Sequence, residues 1–129
     1  MSAAAKTTVS TSGNTTTIVF PPVPGFFRHF TLSSHTTKNQ QIVSVKFDNQ
    51  SEQEYRLTGG ADQSQTVPIP PMVQKVVFAF SYEANGESKT SRVRSGGPFA
   101  LGVLQSIILA VENGDDVDYN DVLVQLLFK

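Results

Sequence analysis

The chain has 129 residues, with ten basic and eleven acidic side chains, two His and no Cys, so it has room for one compact domain. The absence of Cys rules out disulfides, thiol redox chemistry and a thiolate metal site. A net charge of −1 argues against a nucleic-acid binder, and no run reaches the roughly 18 apolar residues of a membrane span. With so few candidate nucleophiles and bases, we expect no enzyme.

The N-terminal segment is polar and rich in Ser and Thr. Lys6 is followed by TTVSTSGNTTT rather than by an apolar run, so no secretory signal is recognised. This composition predicts a flexible tail over residues 1–14, with edge-strand pairing around Thr15 to Phe20 as the alternative. We therefore expect one ordered domain over residues 15–129. We also expect a protein that is cytoplasmic as synthesised, with export by a non-classical route left open.

From Thr15 onward, short runs of Val, Ile, Phe and Thr alternate with turn residues, which predicts an all-β antiparallel sandwich of about eight to nine strands. Asn85-Gly86 supplies the left-handed dihedrals of a tight hairpin turn. Segment 102–111 could be a helix by composition, although Gly102 and the preceding Gly97-Pro98 favour a buried strand. The clearest predicted strands are 26–32, 41–47, 75–82, 88–94, 102–111 and 122–128, with a weaker one at 55–58.

Charge is concentrated in one short segment. Five of the eleven acids fall in the string ENGDDVDYND, residues 112–121, between two strongly apolar predicted strands. Carboxylates crowded in this way repel each other and destabilise the fold unless cations neutralise them. The segment therefore predicts a bound divalent cation, with a solvated acidic turn as the alternative.

Oxygen ligands without His or Cys favour a hard cation, and Ca²⁺ accepts about six to eight oxygens in flexible geometry. The segment is not an EF-hand loop, because the twelfth position counted from Asp116 is Leu127 instead of Glu, and the sixth is not Gly. Asp116, Asp118 and Asn120 occupy every second position, so an extended loop turns them the same way. A bend at Asn120-Asp121 would bring the Asp121 carboxylate to the same side. Glu112 precedes the Asn113-Gly114 turn, which would fold it back over the same cavity.

At this string the sequence resembles the bacterial two-calcium lectins that bind fucose and mannose, the family typified by the Pseudomonas fucose-binding lectin. Their loop of the form E-D-G-x-D-x-D-Y-N-D leads into the last strand. Weaker similarity, at Pro22, Phe27 and the Asn85-Gly86 hairpin, extends the resemblance from Thr15 to Lys129. The resemblance implies a calcium-dependent carbohydrate-binding lectin for fucose- or mannose-type monosaccharides that breaks no bond.

The resemblance also implies the site residues. Four ligating carboxylates carry −4, which two Ca²⁺ ions balance. The implied metal ligands are Glu112, Asp116, Asp118, Asn120, Asp121 and Ser34. The implied sugar-binding residues are His35, Thr36, Thr37, Asn113 and Asp116. Partners would be glycans and further copies of the chain, in a homodimer or homotetramer that gains avidity by repetition.

Four departures from the family pattern qualify these expectations. Ser34 replaces an Asn ligand, residues 35–37 replace small residues of the specificity loop, and Asn113 replaces an Asp that contacts sugar. The chain stops at Lys129, shortly before the family's terminal Gly, whose carboxylate reaches the partner's calcium. We therefore expect a weaker second calcium. The alternative is a structural or assembly β-sandwich with a calcium-stabilised loop and lost or altered sugar binding.

Overall fold

The computed structural model describes residues 6–23, 27–34, 40–57, 63–113 and 122–129. Within these ranges the chain forms eleven β-strands, and no helix there is long and apolar enough to cross a membrane. The strands are β1 (Thr8–Ser12), β2 (Thr15–Val19), β3 (Arg28–Ser34), β4 (Gln40–Phe47), β5 (Gln53–Leu57), β6 (Gln63–Pro68), β7 (Lys75–Ala84), β8 (Glu87–Thr90), β9 (Arg92–Leu101), β10 (Leu104–Glu112) and β11 (Val122–Phe128).

The strands form two antiparallel sheets. The first has the order β1-β2-β7-β4-β5, with β8 also paired to β7, and the second has the order β6-β3-β11-β10-β9. The predicted all-β sandwich is confirmed, and the described residues form eleven strands in place of the expected eight to nine. Segment 102–111 is a strand over most of its length, as the flanking glycines favoured.

Residues that alternate along the strands fill the space between the two sheets. In β3 every second residue is buried, and β7 shows the same alternation. Phe30 of the second sheet meets Phe78 of the first edge to face, with ring centroids 5.1 Å apart. Phe30, Phe78 and Phe80 are buried in this core, whereas Phe27 is 41% exposed.

The flexible tail predicted for residues 1–14 is wrong over Thr8–Ser12. This segment pairs with β2 from Thr8 opposite Val19 to Ser12 opposite Thr15, and Thr11 Oγ1 donates a 3.0 Å hydrogen bond to Ser95 Oγ. Most of its side chains are exposed and polar, so the sequence shows no alternation of apolar residues that would predict a strand here. An edge strand needs only backbone bonds and the β-branched residues that this tract supplies.

The hairpin at Asn85-Gly86 is confirmed, with φ values of 54° and 78° and Ala84 paired to Glu87. The single return strand predicted over 88–94 is wrong. It divides at Ser91: β8 stays in the first sheet, whereas β9 crosses to the second sheet and pairs with β10. Residues 95–99, SGGPF, fall between the strands predicted over 88–94 and 102–111 but lie inside β9, where the register with β10 shifts between Ser106 and Ile108.

The second sheet has two ends that matter for function. At one end, β3 finishes, β10 finishes and β11 begins; we call it the Glu112 end. At the other, β3 begins at Arg28, opposite Phe128 at the end of β11; we call it the Arg28 end. Because neighbouring strands run antiparallel, residues distant in sequence meet at each end.

Candidate functional site

The acidic segment is anchored between two adjacent strand ends. Val122, the first residue of β11, is paired on one side with Ser34 and on the other with Val111. Glu112 follows Val111 as the last residue of β10. The sheet thus places Ser34 and Glu112 two strands apart at one end, on either side of the strand into which the acidic segment leads.

Glu112 is fully buried, with 0% exposure. Its Oε1 accepts a 3.0 Å hydrogen bond from the backbone amide of Asn113. Burying a carboxylate is costly unless hydrogen-bonding or charged groups surround it. Its position and burial suit an anionic oxygen that faces a cation.

Ser34 is also fully buried at the end of β3. Its hydroxyl oxygen has no hydrogen-bond partner among the described residues. Buried polar atoms are nearly always paired, so an orphan at this place needs an explanation. A hard cation bound by oxygen atoms supplies one, and the residues present therefore fit a calcium site.

Asn113 is oriented by a residue from another part of the chain. It is 5% exposed, and its Oδ1 accepts a 3.1 Å hydrogen bond from the hydroxyl of Ser91, which is 3% exposed. Ser91 is the residue at which the chain passes from one sheet to the other, and its amide donates to the Phe80 carbonyl. Ser91, at the crossing between the sheets, thus orients the side chain of Asn113, the first residue of the acidic segment after β10.

Polar contacts also secure the start of β4, where the chain returns from residues 35–39. Arg56 donates to Gln40 Oε1 at 2.6 Å, to Glu83 at 3.0 Å and to Glu54 at 2.6 Å. The hydrogen bonds to Glu83 and then Glu54 raise the pKa of Arg56. This cluster is exposed, so its role is to orient neighbouring strands rather than to add much stability.

The structure describes three of the predicted site residues and brings them to one end of the sheet: Ser34, Glu112 and Asn113. The other predicted ligands and sugar contacts lie outside the described residues: His35, Thr36, Thr37, Asp116, Asp118, Asn120 and Asp121. Sequence reasoning missed Ser91, and no local pattern around it points to the acidic segment 22 positions later.

The family profile described as "Fucose-binding lectin II (PA-IIL)" matches residues 23–129, which is most of the chain and includes the acidic segment. The chain belongs to this family. It is therefore a carbohydrate-binding lectin, and the resemblance seen in the sequence is confirmed. No curated protein matches the sequence of this lectin.

Solved structures of bacterial lectins share the fold of this lectin. The Chromobacterium violaceum lectin CV2L, in complex with alpha-methyl-fucoside, is 21% identical with a TM-score of 0.66, covering 92% of this chain and 98% of that one. The C-terminal domain of the BC2L-C lectin from Burkholderia cenocepacia is 22% identical, with a TM-score of 0.60 over 88% and 94% of the chains. A Ralstonia solanacearum high-affinity mannose-binding lectin is 21% identical, with a TM-score of 0.60 over 88% and 95%.

Proposed function

We propose that this lectin recognises fucose- or mannose-type monosaccharides through calcium bound at the Glu112 end of the second sheet. The observation that carries the proposal is the fully buried carboxylate of Glu112, two strands from the buried hydroxyl of Ser34, which has no hydrogen-bond partner among the described residues. The membership of the chain in the fucose-binding lectin II family supports the sugar class.

The ions would be held by oxygen atoms alone. The ligands we propose are Glu112, Asp116, Asp118, Asn120, Asp121 and Ser34, a set that suits Ca²⁺ better than Zn²⁺ because it contains no nitrogen or sulfur donor. Bound calcium supplies positive charge and open coordination positions to which adjacent sugar hydroxyls bind. Glu112 would contribute a carboxylate whose orientation is fixed by the hydrogen bond from the Asn113 backbone amide.

Sugar selectivity would come from side chains beside the ions. We propose His35, Thr36, Thr37 and Asp116 as direct contacts. Asn113 has a different environment, because its side chain is buried and accepts a hydrogen bond from Ser91. We therefore propose that Asn113 orients the acidic segment through that bond, and that a change from Asp to Asn at this position alters the preference among sugars.

We further propose that the lectin acts as a homodimer or homotetramer. A monosaccharide site is weak by itself, and repetition raises the avidity for a multivalent glycan by orders of magnitude. Equilibrium sedimentation tests the oligomeric state directly.

Calorimetry on chelator-stripped protein tests the proposal. Calcium is titrated first, and fucose and mannose follow in the same cell. We expect calcium binding at up to two sites per chain and sugar heat only after calcium is added. The matched variants are Glu112→Gln, which removes the buried charge with little change of shape, and Glu87→Gln, which removes an exposed charge on β8.

The proposal requires that Glu112→Gln weaken calcium binding by about tenfold or more, because affinity depends on the charge of the ligands, while Glu87→Gln binds as the unaltered chain does. Sugar heat that persists in calcium-free protein would contradict it. Calcium binding without any sugar heat would instead favour a structural sandwich stabilised by calcium.

A further inference from the structure

A cleft of about 450 Å³ opens at the Arg28 end of the sandwich, opposite to the Glu112 end. Its volume lies within the roughly 300 to 1,000 Å³ of typical small-molecule sites. Several separate segments line it, from the residues before β1 to the last residue of β11. The cleft is therefore a product of the tertiary fold and belongs to no single hairpin.

The charged side chains that line this cleft are all positive. They are Lys6, Arg28 and Lys129, and the described residues of the lining include no Asp or Glu. Charges of one sign in a concave site with low-dielectric walls concentrate the electrostatic potential. The cleft thus favours an anion.

Arg28 is the buried member of this group, with 6% exposure. Its guanidinium donates to the carbonyls of Val73 at 3.0 Å and Val23 at 3.3 Å, and it lies 4.2 Å from the ring centroid of Phe20. All three partners are neutral, and its Nε has no hydrogen-bond partner among the described residues. Burial lowers the pKa of Arg28, because desolvation disfavours the charged form.

The two lysines are exposed and lie at the rim of the cleft. The ammonium of Lys129 is 5.4 Å from the ring centroid of Phe27, and no described carboxylate pairs with Lys6 or Lys129. The lining also includes apolar side chains, Pro21 and Pro98 among them, beside the polar Thr7 and Gln105. A ligand that fits must combine a negative group with an apolar body.

We propose that this cleft binds a small organic carboxylate whose charge lies between Lys6 and Lys129, above the buried cation of Arg28. The apolar body packs against the walls formed by Pro21 and Pro98. Within one chain, the cleft lies at the opposite end of the sheet from the proposed sugar site. Its occupation does not require calcium.

The test is a titration of the full, calcium-stripped chain with phenylacetate, in which NMR monitors the backbone amide resonances. Removing calcium prevents the carboxylate from acting as a ligand of the ion. Phenylacetamide has the same shape without the charge, and acetate has the charge without the apolar body. We expect phenylacetate to bind about tenfold more tightly than either control and to shift the resonances of Lys6, Arg28 and Lys129.

Charge-removing variants give the second readout. We expect Lys6→Gln and Lys129→Gln each to weaken phenylacetate binding by about threefold, because both charges are partly exposed to solvent. Lys46→Gln removes an exposed charge of β4 that does not line the cleft, and it should leave the affinity unchanged. Equal binding of phenylacetate and phenylacetamide would overturn the proposal. So would shifts confined to the Glu112 end, or an absence of binding up to about 10 mM.

Discussion

The hydroxyl of Ser91 donates a 3.1 Å hydrogen bond to Asn113 Oδ1, and both residues are buried. Ser91 marks the point where the chain leaves one sheet for the other, and Asn113 follows the last residue of β10. The bond therefore connects the crossing between the sheets to the beginning of the acidic segment.

Ser91→Ala removes the donor and leaves a buried amide oxygen short of one partner. We expect the free energy of unfolding of the calcium-free chain to fall by about 1–2 kcal/mol, measured by urea denaturation. Ser88→Ala on the exposed strand β8 is the matched control and should stay within about 0.5 kcal/mol of the unaltered chain. Equal effects of the two substitutions would show that the Ser91 bond contributes nothing specific.

Glu112→Gln removes the buried charge, and the oxygen of the substituted side chain can still accept from the Asn113 amide. With calcium present, the unaltered chain should gain about 2.7 kcal/mol at a hundredfold excess over Kd, whereas the variant gains much less. Thermal unfolding with and without calcium measures both effects, and a calcium-induced rise of Tm that is the same in both proteins would exclude Glu112 as a ligand.

Gly97 and Gly102 provide a matched pair of substitutions to Ala. Both have positive φ, at 110° and 63°, but a Cβ on Gly97 would lie 2.7 Å from the Ser106 carbonyl oxygen, whereas nothing lies within 4 Å of one on Gly102. We expect Gly102→Ala to destabilise by about 1 kcal/mol from backbone strain alone. Gly97→Ala should destabilise by more than about 2 kcal/mol, because β9 must also move away from β10. Urea denaturation that ranks them in the opposite order would refute this close-packing argument.

Arg28→Met should destabilise the chain by about 2 kcal/mol, since the buried carbonyl of Val73 loses a donor and the Phe20 ring loses its cation. Arg56→Met is the control on an exposed arginine, and its effect should be below about 1 kcal/mol although it removes two ion pairs. Chemical denaturation of both variants tests the difference. An Arg28→Met chain as stable as the original would mean that the buried charge opposes folding as much as its contacts favour it.

Much of the fold could be predicted from local patterns. Alternation over residues 41–47, 75–82 and 122–128 predicted strands that the structure contains, and Asn85-Gly86 predicted its hairpin. Both patterns involve residues that are close in the sequence, so they predict strands and a hairpin without any knowledge of the tertiary structure. The acidic string likewise identified the family without any knowledge of the fold, because its spacing is itself the motif.

The tertiary structure decided how segments distant in sequence come together. It paired the polar tract of β1 with β2, divided the predicted return strand at Ser91, and placed Ser34 near Glu112. It also gathered Lys6, Arg28 and Lys129 around one cleft. The sequence by itself determined the all-β class, the hairpin and the acidic motif, since periodicity and turn chemistry are local. Burial, strand order and uncompensated charge depend on which strands become neighbours, and only the folded chain decides that.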